Sequence, residues 1–256
     1  MRRGIEAFSL DGKRAVVTGG NRGLGLAFVQ ALAECGASVA LLARDKARND
    51  SARAQLAASG LDVHAVSADL LVDAELEEAM AEAMAALGGI DILINNAGTA
   101  IHREAWDVTD EEWAYVFDLN VRALWKCSLA AGRRMRDAGG GSIVNVGSIS
   151  AMIVNRPQCQ AAYNASKAAV HQLTKTLAAE WAPHNIRVNA VAPGYVKTEL
   201  APVDRPEFRR MWIDDAPQRR YATPEEIAPA VVFLAGDAAP FMTGAVLVID
   251  GGYTLY

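Results

Sequence analysis

Tyr163 and Lys167 stand four residues apart in the stretch AAYNASKAAV, residues 161–170. In a helix that spacing puts both side chains on one face, one turn apart. A free phenol has a pKa of about 10 and is a poor base near neutral pH. A unit positive charge at about 4 Å contributes roughly 4 kcal/mol at an effective dielectric of 20, equivalent to about three pKa units. Lys167 is therefore expected to draw Tyr163 toward the operating pH, its own desolvation taking back part of the gain. The pair reads as a proton-exchanging couple, and an aromatic ring packed on a lysine stem is the bland alternative.

A second group of residues suits a phosphate. TGGNRGLG, residues 18–25, lies between an apolar run and an alanine-rich segment. Gly19, Gly23 and Gly25 would let the backbone turn tightly and approach a pyrophosphate, whose charge meets the N–H groups at the start of a helix over 24–35. The spacing departs from G-x-G-x-x-G, because three residues separate Gly19 from Gly23. An ordinary tight turn is the alternative.

These groups need elements to hold them. Short apolar runs at 14–18, 38–43, 62–66, 91–95, 142–146, 187–192 and 245–249 read as buried strands. Amphipathic, alanine-rich segments lie between them, including 24–35, 74–87, 111–136 and 163–181. Strand and helix in alternation predict an α/β fold: a single-domain, Rossmann-like, doubly wound parallel sheet with helices on both faces. Ligands of such sheets bind beyond the carboxyl ends of the strands. Residues 1–256 are taken as one domain, and 199–220, where prolines and charges break the apolar rhythm, as a substrate lid within it.

Composition narrows the partners. The chain has 256 residues, 52% hydrophobic, with a formal charge of −5. Nothing in it gives a basic footprint for nucleic acid, so a small-molecule substrate is expected. Cys35, Cys127 and Cys159 lack the spacing of a disulfide framework or a zinc site. No apolar run reaches the length of a membrane span, and the opening MRRGIEAFSL lacks the apolar core of a signal peptide. A soluble, cytoplasmic protein is the expectation.

TGGNRGLG, NNAG at 95–98 and YNASK at 163–167, in that order, resemble the T-G-x-x-x-G-x-G, N-N-A-G and Y-x-x-x-K series of the short-chain dehydrogenases/reductases. The resemblance runs from Leu10 to Tyr253 and includes VNAVAPGYVKT at 188–198 and DGG at 250–252. It implies a hydride transfer with Tyr163 exchanging the proton and Lys167 also holding the nicotinamide ribose. Ser148 matches the family serine that bonds the reacting oxygen. Ser150 competes for that role, because a spacing of thirteen residues before the tyrosine would select it; Ser148 is favoured and Ser150 read as a substrate contact. Asn120 matches the asparagine of the proton relay, or satisfies backbone where a helix bends.

The resemblance further implies cofactor contacts from Gly19, Asn21, Arg22, Gly23, Leu24 and Gly25. Others come from Asp69 and Leu70, from Asn96, Ala97 and Gly98, and from Pro193, Gly194, Val196 and Thr198. An NAD site usually carries an acidic side chain at the end of the second strand, whereas a 2′-phosphate needs positive charge. That position aligns with Ala43, followed by Arg44, and Arg22 adds a second cation. NADP(H) is favoured and NAD(H) remains open, since a register shift of two would bring Asp45 there.

The loop between Ser148 and Tyr163 holds Asn155, Arg156 and Gln158 where a pocket for acyl chains or steroids would be more apolar. Asn155 and Gln158, with Ser148, Ser150 and Tyr163, are read as substrate contacts for a polyhydroxylated molecule. VNRPQ also resembles the corresponding loop of the family's galactitol, arabinitol and mannitol dehydrogenases; a solvated loop is the alternative. His102 and Arg103 are placed at the same entrance, and His64, His171 and His184 are read as polar surface residues. The leading expectation is thus a polyol dehydrogenase or ketone reductase. A 3-oxoacyl-carrier-protein reductase is the alternative, for which Arg133, Arg134 and Arg136 would be a docking patch, and a non-catalytic dinucleotide sensor stands behind both. The family also implies a homotetramer, with the long helices 111–136 and 163–181 forming one interface and the C-terminal strand another; the apolar and aromatic side chains of the tail 253–256 separately suggest packing against a neighbouring subunit. No metal ligands are identified.

Overall fold

The computed structural model describes residues 4–199, 201, 203 and 205–256. Seven parallel strands form one sheet in the order β3-β2-β1-β4-β5-β6-β7. They are β1 (Arg14–Thr18), β2 (Ser38–Ala43), β3 (Val63–Ser67), β4 (Ile92–Asn95), β5 (Gly141–Val146), β6 (Ile186–Pro193) and β7 (Val246–Ile249). The central strands are apolar on both faces because helices cover both sides. One layer packs Phe28, Leu32 and Val231 on the sheet, and the other packs Leu76, Met80, Cys127 and Met135. The helices are α1 (Gly23–Glu34), α2 (Lys46–Ala58), α3 (Asp73–Leu87), α4 (Asp110–Phe117), α5 (Leu124–Ala138), α6 (Ala161–Trp181), α7 (Pro206–Arg209) and α8 (Pro224–Ala235). None of the described helices is long and apolar enough to cross a membrane.

The strand order reverses direction at β1, so β1 and β4 open a crevice at their carboxyl ends. Two polar links hold that crevice in place. Thr18 Oγ1 accepts from the backbone N–H groups of Asn96 and Ala97 at 3.0 and 3.1 Å. Asn96 Nδ2 donates back to the carbonyls of Thr18 and Gly19, both at 3.0 Å. The glycine turn and the NNAG turn are thereby stitched into one floor.

The single helix expected over 111–136 is divided. A π-helical segment, Asp118–Ala123, joins α4 to α5. Wide turns of this kind insert a residue and re-aim the side chains around it. Asn120 lies inside it, fully buried, accepting from Thr99 N–H at 2.8 Å and donating to Thr99 O and Ser166 Oγ, both at 2.9 Å.

His171 departs from its expected place on the surface. It lies one turn beyond Lys167 on α6, its Nε2 buried over Gly147 with no hydrogen-bond partner. Burial, with the charges of Lys167 and Lys175, brings its pKa down to about 4, so the ring is neutral near pH 7. Tyr253, the first residue of the tail expected against a neighbouring subunit, is anchored within the chain. Its hydroxyl donates to Met211 O at 2.7 Å and its ring meets Tyr195 edge-on, within one chain.

Candidate active site

One cavity of about 530 Å³ runs over the carboxyl ends of the strands from the glycine turn to the loop before α6. Its walls include every residue expected to touch cofactor or substrate, and His102 of the expected entrance; Arg103 is not among them and pairs with Glu112 at 2.8 Å, and Asn120 stands behind Thr99 and Gly98.

At the phosphate end, α1 begins after Arg22, whose side chain makes no capping bond to the first turn. The first N–H groups of α1 are thus not met by a side-chain cap and face the cavity that Gly23, Leu24 and Gly25 line. Gly19 has φ +64°, and a Cβ on Gly25 would come within 2.0 Å of Gly19 O. A cradle that tolerates only glycine at these points fits a dinucleotide pyrophosphate.

At the adenosine end, β2 stops at Ala43 and no acid follows immediately. Asp45, the alternative acid, is spent as the cap of α2, accepting from Arg48 N–H at 3.1 Å. Arg44 pairs with Asp69 at 3.4 Å. Arg22 and Arg48 both pair with Glu199, at 2.5 and 2.9 Å. Three cations therefore surround the rim, Arg48 among them, and sequence reasoning missed it because nothing in sequence ties α2 to the glycine turn. Asn49 makes that tie. It is fully buried, accepts from Asn21 Nδ2 at 2.8 Å, and donates to Ala43 O, Val66 O and Ser67 Oγ.

At the reacting end, Tyr163 and Lys167 project from the first turns of α6, and Ser148 follows β5. Ser148 stands beside Tyr163, where its side chain works to lower the phenol pKa. Ser148 and Ser150 lie 3.0 Å apart, and Ser148 Oγ accepts from Ser150 N–H at 3.0 Å. Ser148 is thus the serine that meets the tyrosine, and Ser150 stands behind it toward the loop.

The expected effect of Lys167 on Tyr163 is corrected here. Burial raises the Tyr163 pKa above its ordinary value, and the Ser148 side chain offsets only part of that rise. Lys167, 5% exposed, is brought down to about 8 by burial and donates to Val146 O at 2.7 Å. Its Nζ is 5.6 Å from the centre of the Tyr163 ring. The one-turn picture counted desolvation as a partial loss, whereas for two groups packed against the sheet it is the largest effect.

The substrate end is polar below and aromatic above. Asn155, Gln158 and Gln160 line it with Ser150 and His102. Asn155 Nδ2 donates to the Tyr195 hydroxyl at 3.1 Å, and Trp212 Nε1 donates to Gln158 Oε1 at 3.0 Å. Trp212 stacks between Tyr195, at 4.7 Å, and Phe208, at 4.1 Å between ring centres. The segment expected as a lid therefore folds onto the pocket through Trp212, which is 2% exposed; Leu200, Pro202 and Asp204 lie outside the described residues. Gln160 was not singled out from sequence, since a lone glutamine before a helix carries no signal.

A family model described as enoyl-(acyl carrier protein) reductase matches residues 19–254. Galactitol 2-dehydrogenase of Rhizobium johnstonii is 47% identical over 255 residues, covering 98% of each chain. The L-tagatose-forming galactitol 2-dehydrogenase of Cereibacter sphaeroides is 46% identical, covering 97% of this chain and 98% of its own. The crystal structure of a gluconate 5-dehydrogenase from Burkholderia cenocepacia, in complex with NADP and tartrate, superposes with a TM-score of 0.92 at 32% identity, covering 98% of both chains.

Proposed function

The chain belongs to the short-chain dehydrogenase/reductase family, NAD(P)-dependent oxidoreductases acting on CH–OH groups, and we propose that it interconverts a polyol and its ketose with NADP(H). The polar wall formed by Ser150, Asn155, Gln158 and Gln160 beside Tyr163 carries this reading. A site built from hydrogen-bonding side chains rejects molecules that leave them unpaired. The likeness to two galactitol dehydrogenases supports it.

The bound nicotinamide would supply or accept the hydride at the substrate carbon. The glycine turn and the α1 N-terminus would hold the pyrophosphate, Asp69 and Leu70 the adenine, Asn96, Ala97 and Gly98 the ribose side, and Pro193, Gly194, Val196 and Thr198 the carboxamide. Arg22, Arg44 and Arg48 at the rim, with Ala43 in place of an acid, favour a 2′-phosphate. The NADP complex of the gluconate 5-dehydrogenase supports that preference.

In the reductive direction the Tyr163 hydroxyl donates its proton to the carbonyl oxygen, and Ser148 hydrogen-bonds the same oxygen. Lys167 supplies positive charge beneath the ring and a donor for the ribose. Asn120 fixes the Thr99 loop against α6 and links the lysine toward solvent. The segment 199–220 covers the substrate. The exposed Trp113 and Trp125, on α4 and α5, suit a subunit interface of a cytoplasmic homotetramer.

A second reading is kept for one reason: the matching family model is described by an acyl-carrier-protein substrate. Initial rates with NADPH and NADH against ketoses, polyols, a diketone and an acetoacetyl thioester separate the two. Preference for a ketose or polyol supports the proposal, and preference for the thioester replaces it.

A further inference from the structure

Gln160 occupies the N-cap of α6, where a polar side chain ordinarily turns back to the helix N–H groups, yet it makes no such bond. Its amide is spent on the pocket instead. The residue is 6% exposed. Gln160 Nε2 donates to Asn155 Oδ1 and to Asn164 Oδ1, both at 2.9 Å, and lies 3.4 Å from Ser150 Oγ. Two hydrogens meet two strong acceptors, so the amide cannot flip without losing both. Burial lowers the His102 pKa, and the nearby Gln160 amide works the other way. The loop bearing His102 is clipped to it, with a parallel bridge between Arg103 and Gln160 and a bond from Arg103 N–H to Cys159 O at 2.9 Å.

This arrangement sets the polarity of the wall. Because Asn155 Oδ1 is held by Gln160, Asn155 Nδ2 must face Tyr195, and one of its two hydrogens is left for a ligand in the cavity it lines. His102 lines the same cavity, and its neutral ring offers one donor and one acceptor nitrogen. A hydroxyl group, donor and acceptor at once, satisfies such a pair, whereas a methylene leaves both unpaired.

We propose that Gln160 is a specificity-determining positioning residue, fixing Asn155 and His102 to receive the hydroxyl groups that flank the reacting carbon of a polyhydroxylated substrate. The proposal rests on the polyol and ketose reading and names the residue that would enforce it. It concerns binding alone and needs no proton from Gln160.

Gln160→Met keeps the volume and removes the hydrogen bonds. The measurement is the ratio of kcat/KM for a ketose to kcat/KM for a hydroxyl-free ketone of similar length, in wild type and variant. The ratio should fall by about tenfold or more, mainly through KM for the ketose. NADPH affinity, read by quenching of tryptophan fluorescence, should be unchanged and reports a folded cofactor site. The His102 imidazole, followed by NMR in the cofactor-free protein, needs no turnover: loss of the Gln160 amide, which works to raise its pKa, should move its titration to lower pH. A ratio unchanged by the substitution, equal losses on both ketones, or an unmoved His102 titration would overturn the assignment. A wild type equally active on both ketones would instead end the polyol reading, and the change in ratio still reads Gln160 on its own.

Discussion

The Lys167 ammonium donates to the carbonyl of Val146 at 2.7 Å and lies 5.6 Å from the centre of the Tyr163 ring. Burial lowers the pKa of the lysine to about 8 and raises that of the tyrosine. Near neutral pH the tyrosine holds its proton, the form needed to reduce a carbonyl, while the lysine is still charged. For carbonyl reduction, kcat/KM should be level below about pH 8 and fall above it as Lys167 loses its charge. A pH–rate profile checks this limb, and a rate that climbs through pH 8 would contradict it.

The same shift makes a stability statement. Lys167 is charged in the unfolded chain up to about pH 10.4 but loses its proton near 8 when folded. A depressed folded pKa gives stability that is present above the unfolded value and lost as pH falls through the folded one. Lys167→Met should therefore compare more favourably with wild type at pH 7 than at pH 10, in urea midpoints, while losing activity. A difference that does not change with pH would remove this burial cost.

Tyr163→Phe should lower kcat by roughly 10²- to 10⁴-fold and leave NADPH affinity within about twofold, because it removes the proton donor and little contact area. Normal turnover would require another acid.

Ser148 and Ser150 can be told apart by the same kinetics. Ser148→Ala should cost on the order of 10²-fold in kcat, since its hydroxyl meets Tyr163 and the oxygen where charge develops. Ser150→Ala should act mainly on KM. Reversed effects would exchange the two assignments.

Much of this arrangement is legible in sequence, and the boundary has a physical cause. The strands show because they are continuous apolar runs, and β1 and β2 match their expected limits. Tyr163, Lys167 and the glycine turn show because their chemistry depends on local spacing. A bend at Asn120 is one of the two readings of that residue, but its π-helical form and its partner Thr99, twenty-one residues away, are not legible in local spacing. Arg48, Asn49 and Gln160 were missed for the same reason: each acts through a partner brought close only by the sheet. The pKa values of Tyr163 and Lys167 depend on burial, which spacing alone does not measure.

Glu199, at the start of the 199–220 segment, pairs with both Arg22 and Arg48. Arg44→Ala and Arg48→Ala should each weaken NADPH binding by about tenfold, roughly 1.4 kcal/mol, and NADH binding far less. Titration of each variant with both dinucleotides checks this. Equal losses for the two would remove the arginine as a phosphate contact.

Away from the site, Asp91 has its pKa lowered: burial works to raise it, and the hydrogen bonds and charge of Arg14 outweigh that. Stability from this pair is present above the unfolded carboxylate value of about 3.9 and is lost as pH falls through the folded one. Asp91→Asn should lower the urea midpoint at pH 7 and narrow the gap to wild type below about pH 4. A gap that persists in acid would mean that the charge is irrelevant.

The decisive measurement is the transfer of deuterium from the reactive face of labelled NADPH to a ketose, read by NMR of the product. Label at the new carbinol carbon in wild type, appearing roughly 10²- to 10⁴-fold more slowly with Tyr163→Phe, is the predicted result. Label carried to an acetoacetyl thioester and not to any ketose would contradict the polyol assignment.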